Sequence, residues 1–150
     1  MGSTFSNLLI HGIFSTKHRR PYITPDLQER LYSYMGGIVR EKKGVLYNIG
    51  GMEDHVHMLV RWGTTGTVAD LFRDVKSDSS KWVHDTYSQY GDFAWQSGYA
   101  VFSVSQSQCE KVNRYINNQH QHHQEVSFQD ELRQLLRAHG VAYDERYIWD

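Results

Sequence analysis

Residues 55–62 read His-Val-His-Met-Leu-Val-Arg-Trp, and they alternate with the period of two that a β-strand imposes. Val56, Met58, Val60 and Trp62 fall on one side, a plain core face. His55, His57, Leu59 and Arg61 fall on the other, so two imidazoles stand one pleat apart on the more polar face. A rigid strand carrying such a pair can present both to one divalent metal. The chain holds nine histidines, so chance pairs are expected, and a half-exposed strand that carries two of them accounts for the triplet equally well.

Composition narrows the field around this strand. A chain of 150 residues is the usual size of one domain. With 39% hydrophobic and 22% charged residues it has the means to bury a core. The net charge of −1 gives no global basic signal, so any nucleic-acid surface must be local. A single cysteine, Cys109, excludes an internal disulfide and fits a reducing cytoplasm. No apolar run reaches membrane-spanning length, and no secretion-signal layout opens the chain.

The order of elements follows from capping and periodicity. Residues about 6–16 are expected to form a first strand, followed by the basic loop Lys17-His18-Arg19-Arg20. Thr24-Pro25 opens a helix whose stripe is Leu27, Leu31, Tyr34, Met35 and Ile38, closed by Lys42-Lys43-Gly44. Val45–Gly50 pairs as a hairpin with the histidine strand. Thr67 caps a second long helix bearing Lys76 and Lys81, and residues about 93–104 give a fourth strand. The pattern β-α-β-β-α-β predicts a ferredoxin-like α+β domain, an antiparallel sheet with both helices on one face. The histidine face is then expected to lie open. A polar, hinge-like stretch over 103–108 precedes a helix over about 109–124. On that helix Gln108, Lys111, Tyr115, Gln119 and His122 make a second stripe beside the apolar one. Ser127 caps a last helix, and an aromatic tail ends the region 127–150, expected to dock on its own domain or on a partner chain.

His55-Val56-His57, within Asp54-His55-Val56-His57-Met58-Leu59-Val60, together with Tyr115-Ile116-Asn117-Asn118-Gln119 resembles the single-tyrosine HUH transposases of the IS200/IS605 type, including the REP-associated tyrosine transposases. Trp95-Gln96-Ser97-Gly98-Tyr99, His122-His123, Phe128-Gln129-Asp130-Glu131 and the closing Tyr143-Asp144-Glu145-Arg146-Tyr147-Ile148-Trp149-Asp150 extend the likeness over nearly the whole chain. It implies one domain: a core of about 6–104, a tyrosine helix of about 109–124 and a C-terminal helix and tail of about 127–150.

The resemblance also implies a chemistry. His55, His57 and Gln119 would bind a divalent metal, Mg²⁺ or Mn²⁺, and Tyr115 would attack a phosphodiester of single-stranded DNA marked by a hairpin. The product would be a 5′-phosphotyrosine and a free 3′-OH, so strands can be rejoined without an external energy source. The family likeness further implies a homodimer in which the tyrosine helix can serve the partner's site. Lys17, Arg19, Arg20, Lys76 and Lys81 are the basic candidates for phosphate contacts. Two rivals share the fold or the metal. One is a non-catalytic or domesticated single-stranded nucleic-acid-binding protein, which would not need the intact set of His55, His57, Tyr115 and Gln119. The other is a metal-dependent phosphodiester hydrolase, which would not need Tyr115.

Overall fold

The computed structural model describes residues 2–150, and among these the elements run β1 (Leu8–Ser15), α1 (Pro25–Glu41), β2 (Val45–Met52), β3 (His55–Trp62), α2 (Val68–Thr86), β4 (Ala100–Val104), α3 (Cys109–Asn117), α4 (Gln119–His122) and α5 (Phe128–Ala138). The sheet order is β2-β3-β1-β4 and every pairing is antiparallel. This is the expected split βαβ arrangement, with α1 and α2 as its crossovers.

Alternation assigns each strand two faces, and both become interiors. Phe14 of β1 and Val56, Met58, Val60 and Trp62 of β3 pack against Leu27, Leu31 and Met35 of α1 and Leu71, Phe72 and Val75 of α2. On the opposite face Ile13 and Phe102 join Phe128, Leu132 and Leu136 of α5, with Tyr143 and Trp149 of the tail packed alongside. The histidine face is therefore not open. α3, α4, α5 and the tail cover it, because α5 carries an apolar stripe that has to be buried. The tail docks on its own domain, where Arg19 and Arg133 lie over the Trp149 ring at 5.5 and 5.0 Å.

Other expectations shift locally. Thr67 and Ser127 accept hydrogen bonds from Asp70 N and Asp130 N at 3.0 and 3.2 Å, as capping boxes require. Thr24 makes no such bond, and its hydroxyl pairs instead with Tyr90 Oη at 2.7 Å. The fourth strand begins only at Ala100. Upstream of it Trp95 keeps a single antiparallel bridge to Thr16, residues 97–99 interrupt the ladder, and Phe93 and Trp95 are buried on the α1–α2 side. The anticipated hinge is an ordered turn, tied to the start of β1 by Asn7 Nδ2 donating to Gln106 Oε1 at 2.8 Å. The helix over 109–124 divides at Asn118, whose φ of −97° and ψ of 19° leave the helical range.

Two glycines show how closely these layers meet. On β2, a Cβ at Gly50 would stand 2.8 Å from both Cγ2 and the carbonyl oxygen of Ile116, so only glycine lets α3 lie this low on the sheet. In the interior of α1, a Cβ at Gly37 would meet nothing nearer than Arg40 Nη2 at 3.8 Å. Gly50→Ala should cost about 1–3 kcal/mol in urea denaturation by overpacking. Gly37→Ala should stabilise by up to about 1 kcal/mol through helix propensity alone. Equal effects at the two positions would show that α3 does not press on β2.

Candidate active site

The sheet supplies a row of imidazoles. His11 on β1 and His55 and His57 on β3 point to the face beneath α3–α5, and His55 and His57 are both 0% exposed. His11 Nε2 lies 2.8 Å from His57 Nδ1. Burial, then the neighbouring His57, pushes the His11 pKa down to about 3, so this ring is neutral and buttresses His57 without adding charge. Asp54, at the β2–β3 turn, accepts from His55 Nδ1 at 2.7 Å. Each strand histidine thus has one ring nitrogen fixed from behind, and both Nε2 atoms face inward.

The C-terminal helices supply the other half. Gln119 begins α4 and is 1% exposed, with its Oε1 3.0 Å from His55 Nε2 and 2.9 Å from His123 Nε2. Its Nε2 donates to Glu131 Oε2 at 3.1 Å. Glu131, on α5, is also 1% exposed. Its Oε1 stands 3.0 Å from His57 Nε2, 3.1 Å from His123 Nε2 and 3.3 Å from His55 Nε2. The Tyr115 hydroxyl donates a short hydrogen bond to Glu131 Oε2, and the Tyr115 ring lies 5.6 Å from that of His57. Tyr115 and Gln119 are brought together as their spacing predicted, and within one chain.

Charge in this cluster is tightly correlated. Burial alone would raise the Glu131 pKa, but hydrogen bonds from His123, His55 and His57 outweigh it and hold the carboxylate ionised. Burial likewise works against a charged His55, yet Asp54 and Glu131 together lift it to about 9. At His57 burial prevails, and its pKa is lowered. Burial and the adjacent carboxylate push the Tyr115 phenol well above its ordinary value.

The donor set fits a metal ion. One ligand atom from each of His55, His57, His123 and Glu131 lies within 4.8 Å of all the others. Ligands held about 2.1 Å from an ion sit roughly 3 Å apart, which is the spacing found here. His123 Nδ1 is 2.6 Å from the Val126 carbonyl, so in the neutral ring Nε2 is a bare lone pair. That lone pair faces the oxygens of Gln119 and Glu131. Three acceptors turned toward one point require a positive charge between them, a proton or a cation.

His123, Glu131 and His11 were not among the residues singled out as ligands. The signal for Glu131 was available: it sits between Phe128 and Leu132 on the buried stripe of α5, where a carboxylate has no place unless it is paired. Of the basic residues, Lys76 is not free for phosphate. Its Nζ donates to the carbonyls of Ser97 and Gly98 at 2.9 Å each, and burial lowers its pKa to about 8. Lys81 pairs with Asp85 at 2.8 Å on α2, across the sheet from Tyr115. Arg20 bonds Tyr22 Oη at 3.2 Å, and Arg19 and Lys17 sit in the turn after β1.

Known proteins agree with this architecture. Residues 4–119 match the family model described as "Transposase IS200 like". The ISDra2 transposase TnpA of Deinococcus radiodurans is 23% identical over 115 residues, spanning 73% of this chain and 82% of that protein. A crystal structure of a candidate transposase from Deinococcus radiodurans R1 superposes with a TM-score of 0.64 at 22% identity, over 79% of this chain and 95% of that one. A REP-associated tyrosine transposase solved with a REP hairpin superposes with a TM-score of 0.61 at 11% identity, over 84% and 76% of the two chains. With more than three-quarters of its length matched by one family model, and the same α+β sheet in those structures, this chain belongs to the IS200-like transposase family.

Proposed function

We propose that this transposase cleaves and rejoins single-stranded DNA with Tyr115 as the nucleophile, beside a divalent metal held by His55, His57 and Gln119, with His123 and Glu131 as the further donors of the cluster. The observation that carries the reading is the short hydrogen bond from the Tyr115 hydroxyl to Glu131, whose other oxygen faces His55, His57 and His123. A nucleophile and a metal-ligand cluster share one carboxylate.

The chemistry follows. The Tyr115 oxygen attacks phosphorus, the bond to the 3′ oxygen breaks, and that oxygen leaves as a 3′-OH with a proton. Glu131 Oε2 accepts from the phenol and orients it, and the phenolic proton ends on the departing 3′ oxygen, because a carboxylate held ionised is a weak base toward a phenol pushed up by burial. The 5′-phosphotyrosine keeps the bond energy, so a later 3′-OH can displace Tyr115 and restore a phosphodiester. A bound divalent cation supplies neutralisation of the phosphate oxygens and offsets the burial and the carboxylate that oppose a phenolate. Glu131 orients, and Gln119 ties the tyrosine helix to the sheet.

Nitrogen donors shift the expected metal. Mg²⁺ prefers oxygens and keeps its waters, whereas Mn²⁺ accepts imidazole readily. With up to three imidazoles and one carboxylate the site favours Mn²⁺ over Mg²⁺. Tyr115 reaches the cluster within its own chain, and in the homodimer that the family likeness implies the same helix would be the element exchanged. Lys17, Arg19 and Arg20 remain the basic residues on the histidine-loop side for backbone phosphates, and a hairpin beside the cleaved strand is the substrate that the relative solved with a REP hairpin suggests. Such a substrate places the work in the cytoplasm.

Tyr115→Phe should abolish both strand cleavage and the denaturation-resistant protein–DNA band, while hairpin binding stays near the parental level. Cleavage retained by that variant would overturn the reading and favour a water-using hydrolase. His11 is predicted to set the His57 ring from behind. His11→Ala should therefore weaken Mn²⁺ binding by about 10–100-fold without removing a ligand, as read by paramagnetic-resonance titration. An unchanged dissociation constant would show that the His11–His57 contact does not orient the ligand.

A further inference from the structure

The second stripe of α3 is only half used by the metal cluster. Gln119 and His122 continue it toward Glu131. Lys111 and Gln108 lie one and two turns before Tyr115, and they line a cavity of about 410 Å³ between α3, the edge strand β4 and the end of α5. His11 lines it as well, which makes Tyr115 and His11 the shared wall between this cavity and the buried imidazoles. We infer that the cavity is a nucleobase subsite, taking the base of a nucleotide that adjoins the phosphate presented to Tyr115.

Its walls suit a flat, heteroaromatic ring. Val112 and Leu135 supply apolar surface. His139 is stacked on Phe102 with centroids 4.1 Å apart and planes at 19°, so its ring is held flat at the cavity's edge. Its Nδ1 donates to the Leu135 carbonyl at 2.8 Å, which leaves Nε2 as an acceptor in the neutral ring. Gln108 and Lys111 add an amide and an ammonium. Apolar walls with a few convergent polar groups, in a volume of this order, are what a small ring-shaped ligand requires. Lys111 stands one helical turn from Tyr115, at the spacing that sets a cation beside the phosphate while the base lies deeper, toward Gln108 and His139. A strand entering this way meets the nucleophile from the one side of Tyr115 that the metal-ligand cluster does not occupy.

This inference rests on the proposed function for its choice of ligand, but its test does not need cleavage. Oligonucleotides from the flank of the protein's own locus, single-stranded and carrying 2-aminopurine at successive positions, are titrated in chelator. The expected result is strong fluorescence quenching at one position, with Tyr115→Phe retaining it. Val112→Trp, which fills the cavity, and His139→Ala, on an exposed helix end, should each reduce the affinity read at that position by about tenfold. Using both keeps the outcome interpretable if the bulky variant folds poorly. Quenching that is absent at every position, or that both variants leave unchanged, would overturn the subsite. A failed subsite would leave the covalent Tyr115 adduct intact, and a failed adduct would leave the quenching intact.

Discussion

The carboxylate of Glu131 is the joint on which the molecule closes. It is buried, ionised, and bonded to groups from β3, α3 and α4. A carboxylate out of water is costly unless its oxygens meet donors or a cation; here an amide and a phenol donate to Oε2, and three imidazoles gather at Oε1. The same contacts fix where α3, α4 and α5 sit on the sheet. A purely apolar interface between α5 and the sheet could slide by a residue without much penalty, whereas a buried charge tolerates one register. Folding of the C-terminal third and assembly of the site are therefore one event.

That coupling explains why the face carrying the imidazoles is covered and not open. His55 and His57 need donors or acceptors once they leave water, and the three C-terminal helices bring Gln119, His123 and Glu131 as well as apolar surface. Ring His55 also stacks on Phe128, with centroids 4.4 Å apart. The burial thus concentrates the electrostatics of the cluster in a low-dielectric setting, where a bound cation and a phosphate interact more strongly than they would at a surface.

What the sequence disclosed follows from which forces are local. The alternation of His55 to Trp62 is a property of one strand and survives into the structure, while Tyr115 and Gln119 stay together although the helix divides between them, with Gln119 Nε2 3.4 Å from the Tyr115 carbonyl. Helix α3 ends at Asn117 although no proline or glycine announces it. The break is imposed by docking: Asn48 of β2 donates to the Asn113 carbonyl at 3.3 Å and to Asn117 Oδ1 at 3.0 Å. His123 and Glu131 lie 68 and 76 residues after His55 in the numbering, and only tertiary packing brings them to it. His11 sits among apolar residues of β1, and alternation alone does not say that His57 will lie across from its neighbour Ile13. The alternation of Phe93 and Trp95 reflects a short bridge to Thr16, and the pattern does not reveal that residues 97–99 break the ladder before β4.

The path of α3 accounts for Tyr115 lying beside the imidazoles of its own chain. β4 is one edge of the sheet and β2 is the other. The turn at 106–108 leads from β4 into α3. Asn48 and Gly50 receive the second half of α3 above β2, through Asn113, Ile116 and Asn117. Between the two edges lie β1 and β3. With α3 held above β2, Tyr115 turns its ring inward over them, 6.2 Å from the His11 ring and 5.6 Å from that of His57. The turn that precedes Cys109 is bonded through Gln106 to Asn7 at the start of β1, which sets where the helix begins over its own sheet.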